Sequence, residues 1–119
     1  MSRIGATRLQ EFKAQFFRAL AHPVRIRILE VLRRGERSVQ ELQAVLGLDQ
    51  STVSQQLAVL RGTRVVDARK EGTTVRYAVR DPLVGQLLDV ARRIFNKQLI
   101  SSQTMLRELQ REARRPRSR

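Results

Sequence analysis

A mainly α-helical chain with one small β-hairpin is predicted by three observations. Apolar residues recur at helical spacing through five separate stretches. Those stretches are punctuated by Gly, Pro, Ser and Asp at positions where helices start and stop. Between residues 65 and 79 the apolar period shortens to two, as a half-buried strand requires.

Leu9, Phe12, Phe16 and Leu20 mark the first helix. It runs into Ala21-His22-Pro23. Pro23 suits the first turn of a second helix, where its missing N–H removes no bond. Val24, Ile28, Leu29 and Leu32 form the buried stripe of that helix, and Gly35 stands where a left-handed C-terminal residue is expected. Ser38 followed by Glu41 reads as a capping box that opens a third helix. Its core side is Val39, Leu42 and Leu46, and Gly47 ends it. Asp49 or Ser51 opens the fourth helix, whose apolar face is Val53, Leu57 and Leu60 and whose stop is Gly62.

Two strand-like runs follow, Val65–Arg69 and Thr74–Val79, joined by Lys70-Glu71-Gly72-Thr73. In the second run Val75, Tyr77 and Val79 alternate with Thr74, Arg76 and Ala78. Asp81 and Pro82 then begin a long last helix, sustained by Leu83, Leu87, Val90, Ala91, Ile94, Leu99, Met105, Leu106 and Leu109. A distortion is expected near Ser101-Ser102. One domain is expected through residue 113, with residues 114–119 ("RRPRSR") as a basic, disordered tail.

The charge balance narrows the choice of partner. Lys and Arg number 24 against 11 Asp and Glu in 119 residues, a formal net charge of +13. An excess of that size implies an anionic partner, nucleic acid or a membrane surface. With no cysteine, disulfides, thiolate metal sites and thiol switches are excluded. One histidine and no cysteine cannot assemble the usual nucleophile–base arrangements, so an enzyme is not expected and no cofactor is implied. The N-terminus lacks the apolar core of a signal peptide, and no apolar run reaches the ~18 residues of a spanning helix, so a cytoplasmic location is expected. The Arg-rich end of the last helix could meet anionic lipid, but its apolar face is better used for self-association, so no membrane role is expected. Sparse aromatics argue against a single-strand binder that stacks bases.

The order helix, helix, helix–turn–helix, hairpin, helix is that of a winged helix-turn-helix. In such a motif the second helix enters the major groove and turns its N-terminal part toward base edges. Gln and Asn can bond adenine there, and Ser and Thr adapt to several bases. Gln50, Ser51, Thr52, Ser54, Gln55 and Gln56 supply such groups and are the expected base readers. A polar outer helix face is ordinarily just solvated, but such faces are rich in Lys and Glu, and neither occurs from Gln50 to Leu60. Arg69, Lys70 and Arg76 in the wing, with Arg61 and Arg64 at the end of the reading helix, are expected on the DNA backbone. Arg114, Arg115, Arg117 and Arg119 fit a solvated tail as well as a DNA clamp.

Three stretches, "FFRALAHPVRIRILEVL", "LGLDQSTVSQQLAVLR" and "ARKEGTTVRYAV", resemble the ArsR/SmtB family of bacterial transcriptional regulators over about Leu9 to Ile94. The resemblance implies a homodimeric winged helix-turn-helix binding twofold-symmetric operator DNA, paired through its first and last helices. Leu9, Phe12, Phe16, Phe17, Leu87, Ile94, Phe95 and Leu99 are the expected interface, since so small a core does not need them all. Metal-sensing members carry Glu-Leu-Cys-x-Cys on the third helix, where this chain has Glu41-Leu42-Gln43-Ala44-Val45. Others use an Asp-x-His and a distant His-x-x-Glu on the last helices, and this chain has no histidine after Asp81. His22, in the family's "AHP" signature, is expected to be a hydrogen-bonded structural residue.

No metal site is therefore expected. The sequence predicts a sequence-specific, dimeric DNA-binding regulator that answers to an organic ligand, to a separate effector-sensing protein, or to DNA occupancy and expression level alone. The alternative is an architectural protein that coats DNA with little sequence preference.

Overall fold

The computed structural model describes residues 7–114. Its elements run α1 (Arg8–Leu20), α2 (Pro23–Leu32), β1 (Arg37–Ser38), α3 (Val39–Leu46), α4 (Gln50–Gly62), β2 (Val66–Glu71), β3 (Thr74–Val79) and α5 (Leu83–Arg114). The mainly helical winged helix-turn-helix is as the sequence predicts, with one addition. β1 pairs antiparallel with β3, so the hairpin becomes a three-stranded sheet of order β1-β3-β2. The order is thus α-α-β-α-α-β-β-α among the described residues. Two residues cannot display a period, which is why β1 was not foreseen.

Helix starts follow local side-chain chemistry. Thr7 and Gln10 form a capping box at α1, and Ser38 and Glu41 form one at α3. His22 caps α2, its Nδ1 accepting from the Val24 N–H at 3.1 Å, and Pro23 occupies the first turn. Asp81 Oδ1 accepts from the Leu83 N–H at 2.9 Å ahead of α5.

The ends are less regular than the glycines suggest. Gly47 closes α3 at φ 68 and ψ 35, a left-handed geometry that glycine adopts at little cost. Gly35 has φ 151, a backbone that favours glycine, but the residue that caps α2 is Arg33, in right-handed geometry. After α4 the left-handed residue is Arg64, at φ 62, and not Gly62. The Arg64 N–H donates to Arg61 O at 3.0 Å and the Val65 N–H to Leu60 O at 2.8 Å, a Schellman closure built on an arginine.

Contacts divide the chain after Gly85. In the unit up to Gly85, Ile28, Leu29, Leu42, Val53 and Leu60 are fully buried, with Leu57, Val65 and Val66 almost so. This core is made where α2, α3, α4 and the start of β2 converge. From Gln86 onward the second unit is the remainder of α5. That helix is unbroken through Ser101-Ser102, which corrects the expected distortion. Serine's helix penalty is modest, and good helix formers flank the pair. Arg114 is its last residue, whereas Arg115, Arg117 and Arg119 lie outside the described residues. No helix among the described residues is long and apolar enough to cross a membrane.

Candidate nucleic-acid interface

α4 is held from behind by burial and from its start by a cap. Val53, Leu57 and Leu60 face the core. Asp49 Oδ1 accepts from the Thr52 N–H at 2.7 Å. Bonds from Thr52, through its hydroxyl first and then its N–H, hold the Asp49 carboxyl below its ordinary pKa. Arg27 donates from Nη2 to Leu46 O at 3.1 Å, anchoring the end of α3 next to the Gly47 turn.

The expected base readers do not all share one setting. Gln50, Ser51 and Gln55 are exposed, and Thr52 and Ser54 are half-buried. Gln50 borders a cleft of about 310 Å³ together with Ser38, Gln40, Gln43, Thr73 and Tyr77, so it lies between α3 and the wing. Ser54 and Arg61 line a shallower depression with Tyr77. Gln56 flanks the core and does not point squarely outward. It is half-buried, and its Oε1 accepts from Arg25 Nη1 at 2.9 Å.

The wing arginines are already partnered. Arg69 and Arg76 stand directly opposite each other across β2 and β3, a repulsive pairing if nothing intervened. Glu36 intervenes, accepting from both Arg69 and Arg76. Arg69 also meets Glu71 at 3.1 Å, and Arg76 meets Glu41 at 3.2 Å. Hydrogen bonding from Arg69, and then the charge and bonds of the arginine pair, hold the Glu36 carboxyl below its ordinary pKa. Glu41 is lowered mainly by the Ser38 N–H and then by the charge of Arg76. Arg69 is correspondingly raised by its bonds to Glu36 and Glu71. Lys70, Arg61 and Arg64 are exposed. The wing turn is Gly72-Thr73 alone, with Gly72 at φ 62.

The expected dimer residues present apolar surface in each unit. On α1, Leu9, Phe12 and Phe17 are exposed, Phe12 at 71%, while Phe16 is half-buried and packs edge-to-face on Phe17. On α5, Ile94, Phe95 and Leu99 are exposed and Leu87 is half-buried. Val90, Met105, Leu106 and Leu109 extend the exposed apolar set along α5.

Sequence reasoning missed Arg25 and the acids Glu36 and Glu41 as parts of this region. A signal existed for Arg25: Arg25, Arg27 and Glu30 are the charged residues of an otherwise apolar α2. Glu36 had none, because its partners lie more than 30 positions away.

Residues 22–68, from the cap of α2 into β2, match the family model described as "Bacterial regulatory protein, arsR family". The HTH-type transcriptional regulator Rv0081 of Mycobacterium tuberculosis is 45% identical over 102 residues, covering 85% of this chain and 90% of that protein. The chain belongs to the ArsR family. It is a transcriptional regulator with a DNA-binding winged helix-turn-helix, and not an enzyme. The crystal structure of Rv0081 superposes with a TM-score of 0.75, covering 82% of this chain and 98% of that one. A homodimeric winged helix-turn-helix DNA-binding domain of Mycobacterium bovis, Mb0332, is 29% identical with a TM-score of 0.70, covering 82% and 94% of the two chains. A probable mercury resistance operon repressor of Streptomyces lividans is 43% identical over 66% of this chain and 63% of its own length.

Proposed function

We propose that this regulator binds a palindromic operator in double-stranded DNA as a homodimer, reading bases with the exposed part of α4. The observation that carries the reading is the contrast between the two sides of that helix. Val53, Leu57 and Leu60 fix it to the core, and Gln50, Ser51 and Gln55 stay exposed with uncharged donors and acceptors. Thr52 and Ser54 flank that face, and Arg61, Arg64 and Lys70 supply backbone charge beside it.

Dimerisation is supported by the exposed apolar residues of α1 and α5 and by the homodimeric relative Mb0332. Repression is supported by the name of the Streptomyces relative. The signal comes through an organic ligand or an effector-sensing partner protein, because Gln43, Ala44 and Val45 replace the thiolates of metal-sensing members. A DNA-binding regulator of this kind works in the cytoplasm.

Binding to the chain's own promoter region against scrambled DNA, in moderate salt, tests the reading. A preference for the promoter is expected, and equal affinity for the two would leave the architectural alternative that the net charge of +13 favours. A monomer at micromolar concentration in sizing experiments would remove the dimer.

A further inference from the structure

Arg25 lies in the first turn of α2, half-buried, and its guanidinium reaches two other helices, α1 and α4. Nε donates to Ala19 O at 2.7 Å, and Nη2 to Arg18 O at 3.1 Å, both near the end of α1. Nη1 donates to Gln56 Oε1 on α4 at 2.9 Å. A guanidinium is a planar donor with no acceptor, so its neighbour fixes the sense of the carboxamide: oxygen toward Arg25, amide N–H2 away from it.

We infer that Arg25 is a specificity-determining positioning residue, which makes Gln56 a hydrogen-bond donor toward DNA and ties α4 to the end of α1. The inference rests on the operator-reading role proposed for α4. A free glutamine pairs with adenine by offering a donor and an acceptor side by side. Gln56 has its oxygen committed to Arg25, so it loses the paired contact to adenine and keeps a donor alone, which is best matched by the two acceptors of guanine, N7 and O6, or by O4 of thymine, and meets adenine only at N7. The cation behind the oxygen polarises the amide and strengthens it as a donor.

The test is operator selection from randomised DNA, with affinity measurements, on the full chain and on Arg25→Ala, Arg25→Lys, Gln56→Ala and the Arg25→Ala/Gln56→Ala double variant. The wild type is expected to select guanine or thymine at the positions where Gln56→Ala loses preference. Arg25→Ala is expected to move those same positions toward adenine, and Arg25→Lys, which lacks the fork, to follow it. Each single change should weaken operator binding about tenfold, and the double change about tenfold rather than a hundredfold.

Additive losses, or a base preference untouched by Arg25→Ala, overturn the inference while leaving operator reading intact. A wild type that binds promoter and scrambled DNA equally overturns both. If the Arg25 variants fail to fold, nitrogen-15 spectra of the wild type and of Gln56→Ala still decide. Slowly exchanging Arg25 guanidinium resonances that shift in Gln56→Ala support the inference; rapidly exchanging ones that do not shift overturn it.

Discussion

The reading helix and the wing lie side by side and are built on opposite principles. α4 is positioned by burial: Val53 and Leu60 are fully excluded from solvent and Leu57 almost so. The wing is held by its strand ladder and by Val65 and Val66 at its base, and its outer charges are tied by ion pairs, with Arg69 and Arg76 shared among Glu36, Glu41 and Glu71. Burial is not screened by salt, whereas exposed ion pairs are individually weak and are screened by it. A phosphate reaching Arg69 or Arg76 would have to compete with Glu36, Glu41 and Glu71.

The largest effect should come from breaking the burial side. Leu57→Ala removes a core side chain behind α4 and is expected to cost about 2–5 kcal/mol, measured by denaturant unfolding, with loss of DNA binding. A cost typical of a surface substitution would mean that the core does not set α4.

Two backbone changes test the turns that bracket the helix, and they should have opposite signs. Gly47→Ala puts a side chain at φ 68 where no atom lies within 4 Å, so the cost, about 1 kcal/mol, is conformational rather than steric. Arg64→Gly relieves the left-handed arginine and should stabilise by about 1 kcal/mol. If Arg64 also touches phosphate, the same variant binds DNA more weakly while melting at a higher temperature.

Glu36→Gln addresses the wing. With the shared carboxylate neutralised, Arg69 keeps only Glu71 and Arg76 only Glu41, so DNA affinity should rise and its salt dependence steepen by about 0.9 per additional phosphate neutralised. Unchanged salt dependence would show that the wing arginines stay away from DNA.

The smallest effect is acid sensitivity. Glu36 and Glu41 have folded-state pKa values below their ordinary value of 4.5. For such groups the stabilising contribution is full above the unfolded value and is lost as pH falls through the lowered folded one. Melting temperature should thus fall below about pH 4.5 more steeply in the wild type than in a Glu36→Gln/Glu41→Gln variant.

Much of the architecture was legible in the residues. Val53, Leu57 and Leu60 declare the buried face of α4 by their spacing, and Ser38 with Glu41 declares the start of α3 by local hydrogen bonding. The strand pair was legible because its alternation spans six residues. β1 was not, because two residues carry no period. Gly62 ends α4 as its position suggests, and the left-handed geometry beyond it falls on Arg64, which residue type does not announce. The candidate site was legible in residue type and less so in setting: Arg69 and Arg76 looked available for phosphate, and Gln56 looked free to read a base with both its oxygen and its amide. Each instead has a partner at least 31 positions away in the chain.

By itself the sequence determined the helices, their caps, the hairpin and the polar character of the reading face, because each depends on residues within a few positions of one another. Only the tertiary structure decided which of those polar and basic groups are still free. Arg25 reaches Gln56, and Glu36 reaches Arg69 and Arg76, through packing between elements, and hydrogen bonds of that kind depend on distance in space, to which separation along the chain is no guide.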